Sequence, residues 1–297
     1  MLDMRLLTFL TIAEEESYTK AAAKLSMTQP ALSHQMKQLE EMYDVKLFYY
    51  ENRRISLTEE GTVFKKYAEF LIYQEKMMMR ELESLKKKRK KYAFGATLTL
   101  GEYTLAPHLK RFYDTFSDAD FSMMVDNTKV LLTHLQDGTL DFALIEGIVD
   151  KAEYEVRLLK KVPFILVAGA KHPIAIKKEV TIEDLQKETL LVREEGSGSR
   201  KILETGLSSF NFSIRGFNRV IEIGNISLLK KLTVQGAGIS FMYRDAVLSE
   251  LSEGTLKEIS VQNLRMIREF NFVTKPGNLR NKDFSRFYSF LRFILTL

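Results

Sequence analysis

Along the first sixty residues the apolar positions repeat at helical spacing. Leu6, Leu7, Phe9, Leu10 and Ala13 form one stripe behind Asp3, a residue suited to open a helix. Ser17 is placed to cap a second helix, "YTKAAAKL", whose three consecutive alanines let a neighbour approach closely. After a short turn, "SMT", Thr28 can cap a third helix that begins at Gln29 and runs to about Tyr43. Pro30 then lies in the first turn, where a backbone N–H has no intrahelical acceptor and the fixed φ suits the helix. Leu32, Met36, Leu39 and Tyr43 are predicted to share one buried face. "KLFYY" and "RISLT" read as two short strands joined by a turn at Glu51–Asn52.

From Thr58 the helical period returns. Phe64, Ala68, Leu71, Glu75, Met78, Leu82 and Leu85 alternate by four and three, and only Glu75 breaks this heptad seam. A helix from Thr58 to Lys91 would be about 50 Å long at ~1.5 Å per residue. It is predicted to bury its seam against a copy of itself, or else against its own C-terminal domain. Beyond "KKKRKK" at 86–91, which reads as a solvated hinge, the pattern changes to short apolar runs: "YAFGA", "FSMMVD", "DFALIEG", "PFILVAG", "TLLVRE" and "RVIEI". Helix-like stretches such as "LAPHLKRFYDTF", "KVLLTHLQDG", "SRKILETGLSSF" and "SLLKKLTVQGAG" separate them, and a last helix is expected at about 282–297. Strands alternating with helices indicate α/β units.

Composition narrows the class. The 297 residues carry a net charge of +5 and no cysteine, which excludes disulfides and thiolate metal sites. The apolar residues at the N-terminus are periodic and interrupted by charge, unlike a signal peptide. No run reaches the ~18–20 apolar residues of a membrane span. A cytoplasmic protein is expected. Residues 1–85 hold eleven basic and fourteen acidic side chains, so any nucleic-acid binding there must rely on a few groups on one face.

The third helix offers such a face. Gln29, Ser33 and Lys37 recur at i, i+4 and i+8, with Pro30 and His34 beside them. Gln suits adenine edges, Ser several bases, and Lys guanine or phosphate. The N-terminal part of a recognition helix is what enters the major groove. An ordinary amphipathic helix with a solvated face gives the same spacing. The flanking short turn, the two strands and Arg53–Arg54 at their tip favour a winged helix-turn-helix, with the arginines set for phosphate or minor-groove contact.

Residues 4–65 resemble the DNA-binding domain of LysR-type transcriptional regulators. The matching elements are the alanine pair before Leu25, "QPALS", the "LE" at 39–40, "LF" at 47–48, "RR" and "LTEEG". The position after Ser33 is often Arg in that family and is His34 here. The resemblance implies an α/β multidomain chain. A winged helix-turn-helix would span 1–57 and a linker helix that dimerises 58–91. A two-lobed effector domain like a periplasmic binding protein would span 92–297, with lobe one at 92–164 and 268–297 and lobe two at 165–267. It implies a homodimer or homotetramer on double-stranded promoter DNA, contacted by Thr28, Gln29, Pro30, Ser33, His34, Lys37, Arg53 and Arg54.

In a two-lobed fold a ligand sits near strand ends and helix N-termini. Thr97 and Thr99 follow the first strand of this part, Glu146 and Gly147 end "DFALIEG", and Ser197 and Ser199 lie in "EEGSGSR". Asn225 opens the helix "ISLLKKL". Each of these Thr, Ser and Asn residues is either a helix cap or a contact to a small anionic or zwitterionic metabolite. Glu146 disfavours a bare anion beside it unless Arg200 neutralises it or the ligand is zwitterionic. No G-x-S-x-G elbow, Walker loop or H-E-x-x-H spacing is present, and the four histidines at 34, 108, 134 and 172 are scattered. No enzyme, cofactor or metal is therefore expected. A small-molecule binding protein whose N-terminal helices only oligomerise is the alternative.

Overall fold

The computed structural model describes residues 3–51, 54–86, 89–278 and 280–296, with the backbone alone at 51, 54, 281 and 282. Two compact units result, one built from residues before 89 and one from most residues after.

The first unit contains α1 (Met4–Glu15), α2 (Tyr18–Lys24), α3 (Gln29–Tyr43), β1 (Phe48–Glu51), β2 (Arg54–Leu57) and α4 (Glu59–Leu85). The expected caps are in place. Asp3 accepts the N–H of Arg5 at 3.0 Å, Ser17 that of Lys20 at 3.3 Å, Thr28 that of Ala31 at 3.4 Å and Thr58 that of Gly61 at 2.8 Å. Leu6, Phe9, Ile12, Ala21, Leu32, Met36 and Leu39 form the core. Leu7 and Tyr43 do not join it. Tyr43 is the last residue of α3 and packs edge-on to Phe64 with 54% of its surface exposed. Glu40 ties α3 to the strands: it accepts the N–H of Leu47 at 2.9 Å and the Lys46 ammonium at 2.6 Å. Gly61 lets α4 start against β1, since a Cβ there would lie 2.1 Å from the Leu47 carbonyl oxygen.

The long helix is shorter than its predicted reach to Lys91. It ends at Leu85, and Lys90 and Lys91 instead open β3, paired with Ala119 and Asp120. A strand ladder here overrides the helical tendency of the lysine run, of which residues 87 and 88 lie outside the described residues. The predicted seam also divides. Phe64 and Ala68 pack into the wing-domain core, while Leu71, Met78, Leu82 and Leu85 stay exposed.

The second unit comprises β3 (Lys90–Thr97), α5 (Leu109–Thr115), β4 (Ala119–Asp126), α6 (Thr128–Gln136), β5 (Phe142–Glu146), β6 (Glu155–Gly169), β7 (Glu179–Val180), α7 (Ile182–Gln186), β8 (Thr189–Arg193), α8 (Gly198–Ser208), β9 (Arg219–Ile223), α9 (Ile226–Val234), β10 (Ile239–Tyr243), α10 (Leu248–Ser252), β11 (Leu256–Val261), β12 (Met266–Thr274) and α11 (Asn281–Thr296). One sheet runs through it in the order β4-β3-β5-β12-β6-β10-β8-β9. At one end β3 lies parallel to β4 and β5; at the other β8 lies parallel to β9 and β10. Two antiparallel strands join these parallel halves. The first part of β6 pairs with β12, and its last residues pair with β10 and β11. Phe164 is the crossing point, opposite both Met266 and Tyr243. Two lobes therefore share one sheet, joined by continuous strand backbone rather than by loops. Lobe one is filled by aromatic rings, with Phe142 stacked between Phe94 at 5.1 Å and Phe272 at 4.8 Å beneath α11. Among the described residues no helix is long and apolar enough to cross a membrane.

Candidate nucleic-acid interface and effector cleft

Burial of Leu32, Met36 and Leu39 turns the opposite face of α3 outward. Thr28, Gln29, Pro30, Ser33, His34 and Lys37 are all exposed on it. Local contacts leave the strip available. The Gln29 side-chain oxygen accepts the Thr19 hydroxyl at 3.3 Å, fixing the start of α3 against α2. The Lys37 ammonium lies 3.7 Å from Glu41 in a solvated pair that holds it weakly. His34 Nε2 and Gln38 Nε2 are 3.0 Å apart. Gln38 is exposed and one turn beyond His34, so extending the i, i+4 spacing by one step would have found it. Thr28 has its hydroxyl oxygen engaged as the α3 cap. At the wing, Arg54 opens β2 opposite Glu51, and Tyr49 and Tyr50 on β1 are exposed. Arg53 lies outside the described residues, as does the side chain of Arg54.

The second site is buried. Thr97 ends β3, Thr99 lies two residues on, Glu146 ends β5, and all three are almost wholly enclosed. The Thr99 hydroxyl donates to Glu146 Oε1 at 3.0 Å, and the Glu146 N–H donates to Thr97 Oγ1 at 3.4 Å. Thr99 makes no cap hydrogen bond, because its hydroxyl turns to the carboxylate instead. Across from it, Ser197 precedes α8 without capping it; its hydroxyl lies 2.9 Å from that of Ser199. The lobes touch here through glycine. Gly147 has φ 103°, and a Cβ there would lie 3.3 Å from Gly198 Cα. A Cβ on Gly198 would meet the Glu146 carbonyl oxygen at 2.5 Å and Thr128 Oγ1 at 2.7 Å. Asn225 is different: it is exposed, and its side-chain oxygen caps α9 by accepting the Leu228 N–H at 2.9 Å.

Charge at this site is arranged around Glu146. Burial is the largest influence and pushes its carboxyl up to about 7, against the Thr99 hydroxyl, the Arg193 guanidinium and the Thr97 hydroxyl. Arg200 is committed elsewhere, to Glu204 at 3.0 Å, to Glu222 and to the Arg193 carbonyl. Arg193, buried at the end of β8 and paired with Glu194 at 2.8 Å, is therefore the cation acting on Glu146. Tyr243, at the end of β10, has a buried hydroxyl with no hydrogen-bond partner. Both were missed from sequence. The signal available was their position as last residues of strands, where ligands gather in open α/β sheets.

Two sequence profiles match the chain. A bacterial regulatory helix-turn-helix of the lysR family covers residues 4–62, and a LysR substrate binding domain covers residues 86–293. The chain belongs to the LysR-type transcriptional regulators. A probable RuBisCO transcriptional regulator of Thalassiosira pseudonana is 30% identical over 95% of this chain and 94% of its own length. Among solved structures, a cysteine-to-serine mutant of Corynebacterium glutamicum OxyR with hydrogen peroxide bound has a TM-score of 0.62 at 22% identity, over 99% of this chain and 92% of that one. The regulatory domain of Synechocystis CcmR in complex with 2-PG has a TM-score of 0.62 at 19% identity, over 69% of this chain and 97% of that one. At those identities the structures establish the fold alone. This LysR-type regulator thus has a winged helix-turn-helix for DNA and an α/β effector-binding domain.

Proposed function

We propose that this regulator reads promoter DNA with the exposed strip of α3. Gln29, Ser33, His34 and Lys37 contact base edges or phosphate, Pro30 packs on a thymine methyl, Thr28 donates to phosphate, and Arg53 and Arg54 hold the backbone through the wing. The observation that carries this reading is that Gln29, Ser33 and Lys37 are exposed on a helix whose other face is buried. The exposed Leu71, Met78, Leu82 and Leu85 of α4 support a homodimer, or a tetramer built from it, through paired linker helices. Two wings then compensate for the weak local charge. The functional division follows as wing domain at 1–57, linker at 58–91, and effector lobes at 92–164 with 268–297 and at 165–267. A small anionic or zwitterionic metabolite binds in the cytoplasm between these lobes, near Thr97, Thr99, Gly147, Ser197 and Ser199, and biases the arrangement of the paired wings. Asn225 serves its cap first and reaches ligand only by giving up that bond.

A footprint on the DNA upstream of its own gene tests the reading. Protection of one site, lost with the combined change of Gln29 and Ser33 to Ala, is expected. Equal affinity for all sequences would replace specific regulation by general DNA packaging. No footprint at all would leave a small-molecule binding protein whose N-terminal helices only oligomerise.

A further inference from the structure

Glu146 is unusual in this cleft because its chemistry is incomplete. Thr99 satisfies Oε1, but Oε2 is buried with no hydrogen-bond partner. An acceptor left so is costly unless something donates to it. Glu146 pairs across the sheet with Phe270, whose ring lies edge-on to that of Tyr243 at 4.9 Å. The Tyr243 hydroxyl is the second group there without a partner. Two orphaned polar groups thus flank Phe270 near the point where the strands cross between lobes. The cation that could neutralise the carboxylate for a bare anion, Arg200, is held by other acids, and Arg193 is shared with Glu194.

We propose that Glu146 selects the effector: it accepts a hydrogen bond from an ammonium or hydroxyl group of the ligand, with Tyr243 as second partner, so that the metabolite is a short acid bearing an amino or hydroxyl substituent. This rests on the cleft being the effector site. Burial sets the direction of the pH dependence of Glu146, and most of the groups it faces oppose that shift. Glu146 faces Arg193 and Glu194 at the end of β8, Thr97 and Thr99 at the end of β3, and Tyr243 on β10, which in turn faces Arg268 on β12. Burial holds the carboxyl near neutrality, at about 7, so the accepting carboxylate predominates only above that pH.

Succinate, malate and aspartate share one four-carbon diacid skeleton and differ in carrying hydrogen, hydroxyl or ammonium at one carbon. Calorimetric titration of the full chain with each, at pH 6 and pH 8, tests the proposal. Malate or aspartate is expected to bind roughly tenfold or more tighter than succinate, since the site's buried acceptor stays unpaired with the analogue that lacks a donor. The preference should grow from pH 6 to pH 8. Glu146→Leu, which removes the acceptor, should reduce it to within about twofold, and Glu146→Gln, which keeps an uncharged acceptor, should remove its pH dependence, while Tyr243→Phe reduces it less than Glu146→Leu. Succinate binding as tightly as the other two, or a preference unchanged in Glu146→Leu, overturns the role of Glu146 as acceptor. No binding of any of the three overturns the ligand class. Ser199→Trp separates the site from the specificity: equal binding of all three that this substitution abolishes leaves the cleft as effector site, whereas binding that survives it removes the cleft as well.

Discussion

The α3 strip and the effector cleft place their chemistry in opposite ways. On α3 every candidate side chain is exposed, and its position follows from one helical period and one buried face. In the cleft the candidates other than Asn225 and the half-buried Gly147 are enclosed, and they come from the ends of β3, β5, β8 and β10 and the start of α8. Apart from the Thr28 cap and the Gln29 tie to Thr19, the exposed strip contributes little to folding, so most of its residues are separable from stability. A buried constellation does both, so each substitution there perturbs the fold and the ligand together.

Substitutions on the two faces of α3 should break this comparison most sharply. Leu39→Ala is expected to cost about 2–5 kcal/mol in thermal or denaturant unfolding, because it opens a cavity in the wing-domain core. Lys37→Ala, two residues away, should leave unfolding within about 0.5 kcal/mol of wild type. In the cleft, Glu146 sets a pH-dependent term. Its folded pKa is raised, so it favours the folded state most at low pH, and that contribution is lost as pH rises from about 4.5 through about 7. The difference in stability between Glu146→Gln and wild type should therefore shift in favour of the variant over that window, by on the order of 3 kcal/mol at most. A difference that does not vary with pH would show that Glu146 titrates like an exposed carboxylate.

The next largest effect belongs to the DNA side. Removing Lys37 should weaken promoter binding by about 1–3 kcal/mol if it contacts a base, measured at fixed salt; a uniform loss on all sequences with a shallower salt slope would assign it to phosphate. Smallest is the contrast between a cap and a site residue. Asn225→Ala should destabilise by about 1 kcal/mol through loss of the α9 cap and leave effector affinity unchanged. Ser197→Ala, which removes no cap, should change stability less and weaken effector binding.

The same contrast explains what could be read in advance. Asp3, Ser17, Thr28 and Thr58 announced four helix starts, because a capping side chain acts on a backbone group two or three residues away. Each of the six short apolar or alternating runs quoted from the second half falls on a strand, since a short apolar run between polar stretches is a local signal. Three features went unread because they depend on distant partners. Lys90 and Lys91 leave the helix only because β4 offers a ladder. Phe64 and Ala68 leave the seam because α4 docks on the wing domain. Arg193 and Tyr243 join Glu146 only through the strand order, which no local pattern encodes. Thr99 and Asn225 looked alike in sequence, each a polar residue at a helix start. One turned inward to a carboxylate and the other capped its helix, a choice made by the buried acid nearby.

The most direct measurement is an equilibrium titration of the full chain on DNA from upstream of its own gene, at one salt concentration, with wild type beside the combined Gln29→Ala and Ser33→Ala variant. We predict that the variant keeps wild-type folding and loses discrimination between that DNA and a scrambled duplex. Undiminished discrimination in a folded variant would contradict the assignment of α3 as the reading helix.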